Sequence, residues 1–68
     1  MTNDKEIDTY LLFEQIMTFD WIRCNRNEAR ALLMKRIIYN GFVYTLNKIH
    51  SLGAGVYEIR KEDLNKGR

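Results

Sequence analysis

The side chains that could carry out catalysis or bind a metal are few and lie apart in this sequence. Cys24 is the single cysteine and His50 the single histidine, which is too small an inventory for a zinc site. Arg23 and Arg26 lie close enough to Cys24 to favour a lower thiol pKa, but no histidine is near it to act as a base. We therefore expect a buried structural thiol, a solvated or backbone-bonded His50, no enzymatic activity and no cofactor.

Two other groupings of reactive residue types have simpler explanations. Asp4, Glu6 and Asp8 fall at the start of a predicted helix, where capping and the helix dipole account for carboxylates. The glycine-rich stretch 53–55 precedes a strand and opens no helix, so it does not match a phosphate-binding loop. Neither grouping predicts an active site.

Length and composition indicate a single small domain spanning residues 1–68, with 62–68 as a polar tail. Of the 68 residues, 46% are apolar or aromatic and 29% are charged, which is a globular balance. The net charge of +2 is only mildly basic. No apolar run is long enough to span a membrane, and the polar start lacks the features of a signal peptide, so we expect a cytoplasmic protein.

Periodicity and capping signals predict two main helices. The first covers Asp4–Thr18, with Asn3 or Asp4 as its cap, and its apolar positions do not collect on one side. The second runs over Arg26–Asn40, because Asn25 and Glu28 have capping-box spacing and Gly41 is a favoured helix end. Between the helices, Phe19–Cys24 is either a short third helix or an extended connector, and we expect Trp21 to close one end of the core.

The rest of the chain predicts an antiparallel hairpin. Phe42–Leu46 and Val56–Arg60 are β-rich, and Lys48–Gly55 forms a long turn between them. Lys61–Arg68 is expected to form a helical turn and then a frayed tail. The predicted fold class is therefore α+β, with the helices first and a C-terminal hairpin last.

The order of helix, glycine, strand, turn and strand over Asn25–Lys61 resembles the recognition helix and wing of the winged helix-turn-helix superfamily. In that family the recognition helix enters the major groove of DNA, and the wing contacts the phosphate backbone or the minor groove. The resemblance implies a DNA-binding transcription regulator that contacts double-stranded DNA through Arg26, Arg30, Lys35 and Arg36 on the helix, and through Lys48, His50, Ser51 and Arg60 on the wing.

The two apolar helices predict association with a second chain. A domain of this size has a small interior, and Leu12, Ile16, Leu32 and Ile38 exceed what we expect it to bury. A two-fold homodimer is the commonest solution. The alternative is that the hairpin covers one helix on both flanks. Ile49 and Leu52, near the turn, either fold back onto the core or contact a partner.

Two functions from different classes follow. The first is a small dimeric winged-helix-like DNA-binding regulator. The second is a protein-interaction module, such as a small phage-type inhibitor or assembly factor, that binds a protein through apolar helix surface and the hairpin edge. A DNA binder should gather its cations on one face, whereas an interaction module should scatter them and expose apolar residues such as Leu32, Ile38, Ile49 or Leu52.

Overall fold

The structure is a computed structural model that describes residues 7–67, and in this part of the chain two helices and six strands form. In chain order the elements are α1 (Thr9–Phe19), β1 (Trp21–Asn25), α2 (Arg26–Leu33), β2 (Arg36–Tyr39), β3 (Phe42–Leu46), β4 (His50–Gly53), β5 (Val56–Arg60), a 3₁₀ turn (Lys61–Asp63) and β6 (Leu64–Gly67).

The strands form two antiparallel sheets of three strands each. Sheet A has the order β1-β5-β4, and sheet B has the order β2-β3-β6. β5 is therefore the central strand of sheet A and β3 that of sheet B. The helices lie against both sheets, since α1 packs on β1 while α2 contacts β1, β5 and β3.

The core lies where the two helices meet the inner faces of the sheets. Phe13, Ile16 and Ile59 are completely buried. The ring of Phe13 lies 5.2 Å from that of Tyr39 and 5.1 Å from that of Tyr44, so α1 is anchored to sheet B through aromatic contacts. The remaining buried residues are Ile22, Cys24, Ala29, Leu32, Ile37 and Leu46.

The predicted layout of helices followed by one C-terminal hairpin is wrong. Phe42–Leu46 and Val56–Arg60 are strands with the predicted bounds, but they are the central strands of different sheets and do not pair with each other. The turn predicted between them instead contains β4, which pairs with β5. Local sequence specified the strands, whereas their partners depend on residues far away in the chain.

The second helix is shorter than predicted, because its last part is a strand. α2 ends at Leu33, and Arg36–Tyr39 forms β2, which pairs with β3. Asn40 and Gly41 both have positive φ angles, 53° and 82°, and join the two strands in a two-residue turn. An Asn-Gly pair between β-rich runs strongly favours such a hairpin turn, and this signal outweighs the reading of Gly41 as a helix end.

The start of α2 confirms the predicted capping box. The backbone N–H of Glu28 donates to Oδ1 of Asn25 at 2.8 Å, and the N–H of Asn25 donates to Oε1 of Glu28 at 3.0 Å. These reciprocal bonds satisfy two donors that a helix start otherwise leaves free. They fix the point at which β1 passes directly into α2.

The first helix begins later than predicted, and its apolar side chains divide between the core and the surface. α1 starts at Thr9 with Asp8 as its cap, and the caps predicted at Asn3, Asp4 and Glu6 lie outside the described residues. Leu12, Phe13, Ile16 and Met17 contribute to the core, whereas Tyr10 and Leu11 on the same helix are exposed. The prediction that the apolar positions do not collect on one side is confirmed.

The segment after α1 is extended, so the predicted alternative of a short middle helix is wrong. Asp20 has a φ angle of 74° and ends α1, and Trp21–Asn25 forms β1. Trp21 is 46% exposed and does not close the core as expected. At the other end of the chain, the predicted turn at Lys61–Asp63 is present, but Leu64–Gly67 forms β6 where we expected a frayed tail.

Neither helix within residues 7–67 has the length and apolar character needed to cross a membrane.

Candidate functional site

The cations predicted to contact DNA belong to several different elements. The predicted reading helix stops at Leu33, so Lys35 lies in a connector and Arg36 begins β2. Arg26 and Arg30 are exposed on α2, Lys48 follows β3, and His50 and Arg60 lie in sheet A, whereas Arg36 lies in sheet B. Of the four cations assigned to the recognition helix, two therefore lie on α2, and the two strands assigned to the wing belong to different sheets.

The cations of sheet A are engaged with carboxylates. Nε of Arg60 lies 2.8 Å from Oε2 of Glu58, and Nε2 of His50 lies 2.7 Å from Oδ2 of Asp63. The hydrogen bond to Glu58 is the main reason that the pKa of Arg60 is raised above its usual value. Glu58 also lies 3.9 Å from Arg23. Because Glu58 balances the charge of Arg60 and Asp63 occupies Nε2 of His50, these residues offer little attraction to a nucleic acid.

An open cavity of about 730 Å³ lies beside these ion pairs. Its lining combines the indole of Trp21 with side chains of both charges, and includes no histidine, cysteine or serine. Within residues 7–67 no cluster of His, Cys, Asp and Glu side chains has the arrangement of a metal site. The ionisable groups of the cavity lining form pairs with one another, Arg60 with Glu58 and Glu62, and Lys61 with Asp20. The lining residues are Asp20, Trp21, Glu58, Arg60, Lys61, Glu62 and Leu64.

Cys24 is a buried structural thiol, as predicted from the lack of a nearby histidine. Burial, and secondarily the carboxylate of Glu28, raise the pKa of Cys24 to about 11. The suggestion that Arg23 and Arg26 lower its pKa is wrong. A thiol that stays protonated at neutral pH is a poor nucleophile.

The residues predicted to form a dimer or partner interface divide into buried and exposed ones. Ile16 and Leu32 are buried in the core and Leu12 is half-buried, so the chain itself covers them. Ile38, in contrast, is 71% exposed. Of the two residues near the predicted turn, Ile49 packs against the core, whereas Leu52 is exposed.

The exposure of Ile38 coincides with a free strand edge. β2 pairs on one side with β3 and has no neighbour on its other side among the described residues. Tyr39 pairs with Phe42 across the two-residue turn, so Tyr39 and Ile37 make the close hydrogen bonds with β3. The N–H and C=O groups of Arg36 and Ile38 consequently point away from β3, towards the free edge.

β2 is the least protected of the four edge strands formed by residues 7–67. Proteins usually guard such edges with a bulge or a charged residue in mid-strand. β4 has an irregular register between Ser51 and Gly53, β1 carries Arg23 at its centre, and β6 carries Lys66. In β2 the only charge is on the first residue, Arg36, and the uncharged Ile37–Tyr39 follows.

The exposed apolar side chain nearest to the start of β2 in the sequence is Met34, which is 80% exposed. We call the outward-pointing backbone groups of Arg36 and Ile38, with the side chains of Met34, Arg36 and Ile38, the β2 edge surface. Sequence reasoning singled out Ile38 but missed Met34 and the edge itself. The Asn40-Gly41 pair is the signal that identifies β2 as a hairpin strand.

The β2 edge surface lies in a cationic part of the chain. Between Glu28 and Glu58 the sequence contains no carboxylate, and its Lys and Arg residues in that interval are Arg30, Lys35, Arg36 and Lys48. None of these takes part in the ion pairs found within residues 7–67. The strands of sheet B likewise carry Arg36 and Lys66 but no acidic residue.

Comparisons with known proteins found no matching family model, curated protein or solved structure.

Proposed function

We propose that this protein is a protein-interaction module that binds an extended segment of a target protein along the β2 edge surface. The segment would add a strand to sheet B, beside β2. The observation that carries this proposal is an unguarded strand edge with a highly exposed isoleucine, Ile38, on it. Strand addition of this kind uses main-chain hydrogen bonds for affinity and alternate side chains for specificity.

The energetics of the edge favour a weak to moderate complex. Each main-chain hydrogen bond to Arg36 or Ile38 would contribute a net stabilisation of about 0.5–1.5 kcal/mol. Covering the side chains of Met34 and Ile38 would add about 1–3 kcal/mol each, according to how fully they are buried. Association and ordering of the segment oppose these gains. A dissociation constant on the order of micromolar is therefore expected for a short segment.

The DNA-binding alternative is less well supported. It relied on one continuous helix over Arg26–Asn40, and α2 ends at Leu33. Two of the expected contacts, His50 and Arg60, have carboxylate partners. The wing residues His50 and Arg60 lie in a different sheet from Arg36, and Ile38 is exposed, which is the pattern that we expect of an interaction module.

A homodimer formed by pairing two copies of β2 is a different occupant of the same edge. A two-fold axis would set β2 of one copy against β2 of the other, and β2 has no acidic residue, so this pairing would offer Arg36 no carboxylate partner in the opposing strand. The expected homodimer stays a prediction, which a molar-mass measurement by light scattering tests directly.

The proposal can be tested without knowing the natural target. A displayed library of random dodecapeptides is selected on the full chain, and the enriched peptides are synthesised and measured by fluorescence anisotropy. The variant Ile38→Lys places a charge on the exposed face of β2. The matched control, Leu52→Lys, makes the same change in charge at an exposed apolar residue of sheet A. Circular dichroism verifies that both variants fold.

We expect enriched peptides to bind the wild type and Leu52→Lys equally, and to lose at least about tenfold in affinity for Ile38→Lys. The proposal is overturned if no peptide is enriched, or if the peptides bind Ile38→Lys as well as the wild type. It is also overturned if the wild type shifts a random DNA duplex with a steep salt dependence and this shift is lost in Arg30→Ala.

A further inference from the structure

We infer that the segment recognised by the β2 edge surface is acidic, with a carboxylate side chain facing Arg36 and an apolar side chain two positions away facing Ile38. This inference rests on the proposed function and specifies its partner. It names the chemistry of the bound segment, which the free edge alone leaves open.

The spacing of the two partner residues follows from strand geometry. Arg36 and Ile38 are two residues apart in β2, and both are exposed, whereas the intervening Ile37 is buried. Their side chains therefore project from the outer face of sheet B. In a paired strand, the residues opposite Arg36 and Ile38 are also two positions apart and project from that same face. The bound segment must accordingly carry its charged side chain and its apolar side chain two positions apart, on the same face of the strand.

The charge of the segment follows from the cations at the start of β2. The N–H of Met34 donates to the carbonyl of Arg30 at 3.1 Å, and the N–H of Lys35 donates to that of Leu32 at 3.3 Å. These bonds keep the chain turning between the end of α2 and β2, and Arg30, Lys35 and Arg36 fall within the seven residues 30–36. Carboxylates on a partner would complement this concentration of positive charge and accelerate association.

A second copy of this chain does not supply such a segment from its strands. Among the strands of residues 7–67, only β5 carries a carboxylate, Glu58. β5 is the central strand of sheet A, and its two edges are already paired with β1 and β4. The strands of residues 7–67 in a second copy therefore do not supply the acidic segment, and we assign it to a different protein.

A single-stranded nucleic acid is also a poor fit to this face. Bases bind such surfaces by stacking on aromatic side chains. The register places Ile38 beside Val43 and Arg36 beside Thr45, with Asn65 next to Thr45 on β6. None of these outward-facing residues is aromatic, because the tyrosines of sheet B, Tyr39 and Tyr44, pack against Phe13.

Three labelled peptides of the same length provide the test. Each alternates valine and threonine to favour an extended strand, and two of its valines, four positions apart, are replaced by glutamate, by glutamine or by lysine. Each replaced residue then has a valine two positions away on the same face of the strand. Anisotropy titrations measure their affinities for the full chain at low and high salt. We expect the glutamate peptide to bind at least about tenfold more tightly than the glutamine peptide and the lysine peptide to bind most weakly. The difference should shrink as salt screens the charges.

A charge-reversal variant then identifies the residue responsible. Arg36→Glu should bind the lysine peptide better than the glutamate peptide, which is the opposite of the wild-type preference. The control is the double variant Gln15→Glu with Thr18→Glu, which changes the net charge by the same amount on the exposed side of α1. It should keep the wild-type preference.

The possible failures point to different conclusions. If all three peptides bind with equal affinity and Ile38→Lys weakens them all, strand addition stands and the acidic partner is overturned. If none of the peptides binds, strand addition at β2 itself is overturned. If the double variant loses the preference as Arg36→Glu does, the effect comes from net charge, and the contact with Arg36 is overturned.

Discussion

Ile37 and Ile38 are adjacent and chemically identical, yet they occupy opposite environments. Ile37 is 9% exposed and belongs to the core, whereas Ile38 is 71% exposed. The alternation of a strand explains this contrast, because successive side chains project from opposite faces. A helix continuing to Asn40 would separate neighbouring residues by only about 100°. The difference in exposure between Ile37 and Ile38 therefore distinguishes a strand from a helix in this segment.

Truncating each isoleucine gives a matched pair of predictions. Ile37→Ala should reduce the free energy of unfolding by about 2–4 kcal/mol, because it removes buried methyl groups and leaves a cavity. Ile38→Ala should change it by less than about 0.5 kcal/mol, because the side chain is largely in water. Urea denaturation measures both values. Equal losses from the two variants would contradict the assignment of β2 and of its buried face.

Cys24 makes the stability of the fold depend on pH in the alkaline range. Its pKa is raised from 9.0 to about 11 in the folded chain, so the unfolded chain loses the thiol proton first as pH rises. The stabilisation from the protonated thiol is therefore complete below about pH 9 and is lost as pH rises towards 11.

The comparison with Cys24→Ala isolates this effect, since the tyrosines ionise in both proteins. We expect the wild type to lose stability relative to Cys24→Ala between pH 9 and pH 11, measured as urea midpoints across that range. Curves that run parallel through this range would show that the thiol is not in the buried environment of β1.

At the level of elements, local signals were sufficient for some boundaries but not for pairing. The Asn25–Glu28 capping box located the start of α2, and β-branched and aromatic residues located β3 and β5. The partners of β3 and β5 depend on contacts between distant residues, such as that of β5 with β1. A local pairing that the sequence does specify is at Asn40-Gly41, where a helix end was the competing interpretation.

The candidate site was predictable only in part for the same reason. Ile38 was identified as an apolar residue that so small a domain was not expected to bury, but it was placed on a helix. Its location on an edge strand depends on β3 pairing with β6 on the far side, and β6 lies in a polar stretch with no strong strand signal.

The capping box provides a prediction at the element scale. α2 has only eight residues, so few of its own hydrogen bonds offset the cost of forming it. Asn25→Ala should reduce the free energy of unfolding by about 1 kcal/mol, because it removes the acceptor for the N–H of Glu28. Asn27→Ala is the control, since Asn27 is exposed on the same helix, and it should have little effect in the same urea assay.

Across the described molecule, acidic and basic groups are distributed unevenly between the sheets. Sheet A and the turn after it contain the ion pairs of Glu58, Glu62 and Asp63. The charged residues in the strands of sheet B, Arg36 and Lys66, are both basic. The ion pairs of sheet A lie beside the open cavity, and the exposed edge of sheet B lies beside uncompensated cations. This distribution is why we place the partner surface on sheet B.

Backbone hydrogen exchange at β2 is the most direct test of strand addition. The glutamate peptide is added to the full chain at saturation, and amide exchange is followed residue by residue by NMR. We predict that the amides of Arg36 and Ile38, which point to the free edge, slow by at least about tenfold. Those of Ile37 and Tyr39, already bonded to β3, should change much less. Bound peptide that leaves Arg36 and Ile38 exchanging as before, or that protects another edge strand instead, would contradict the account.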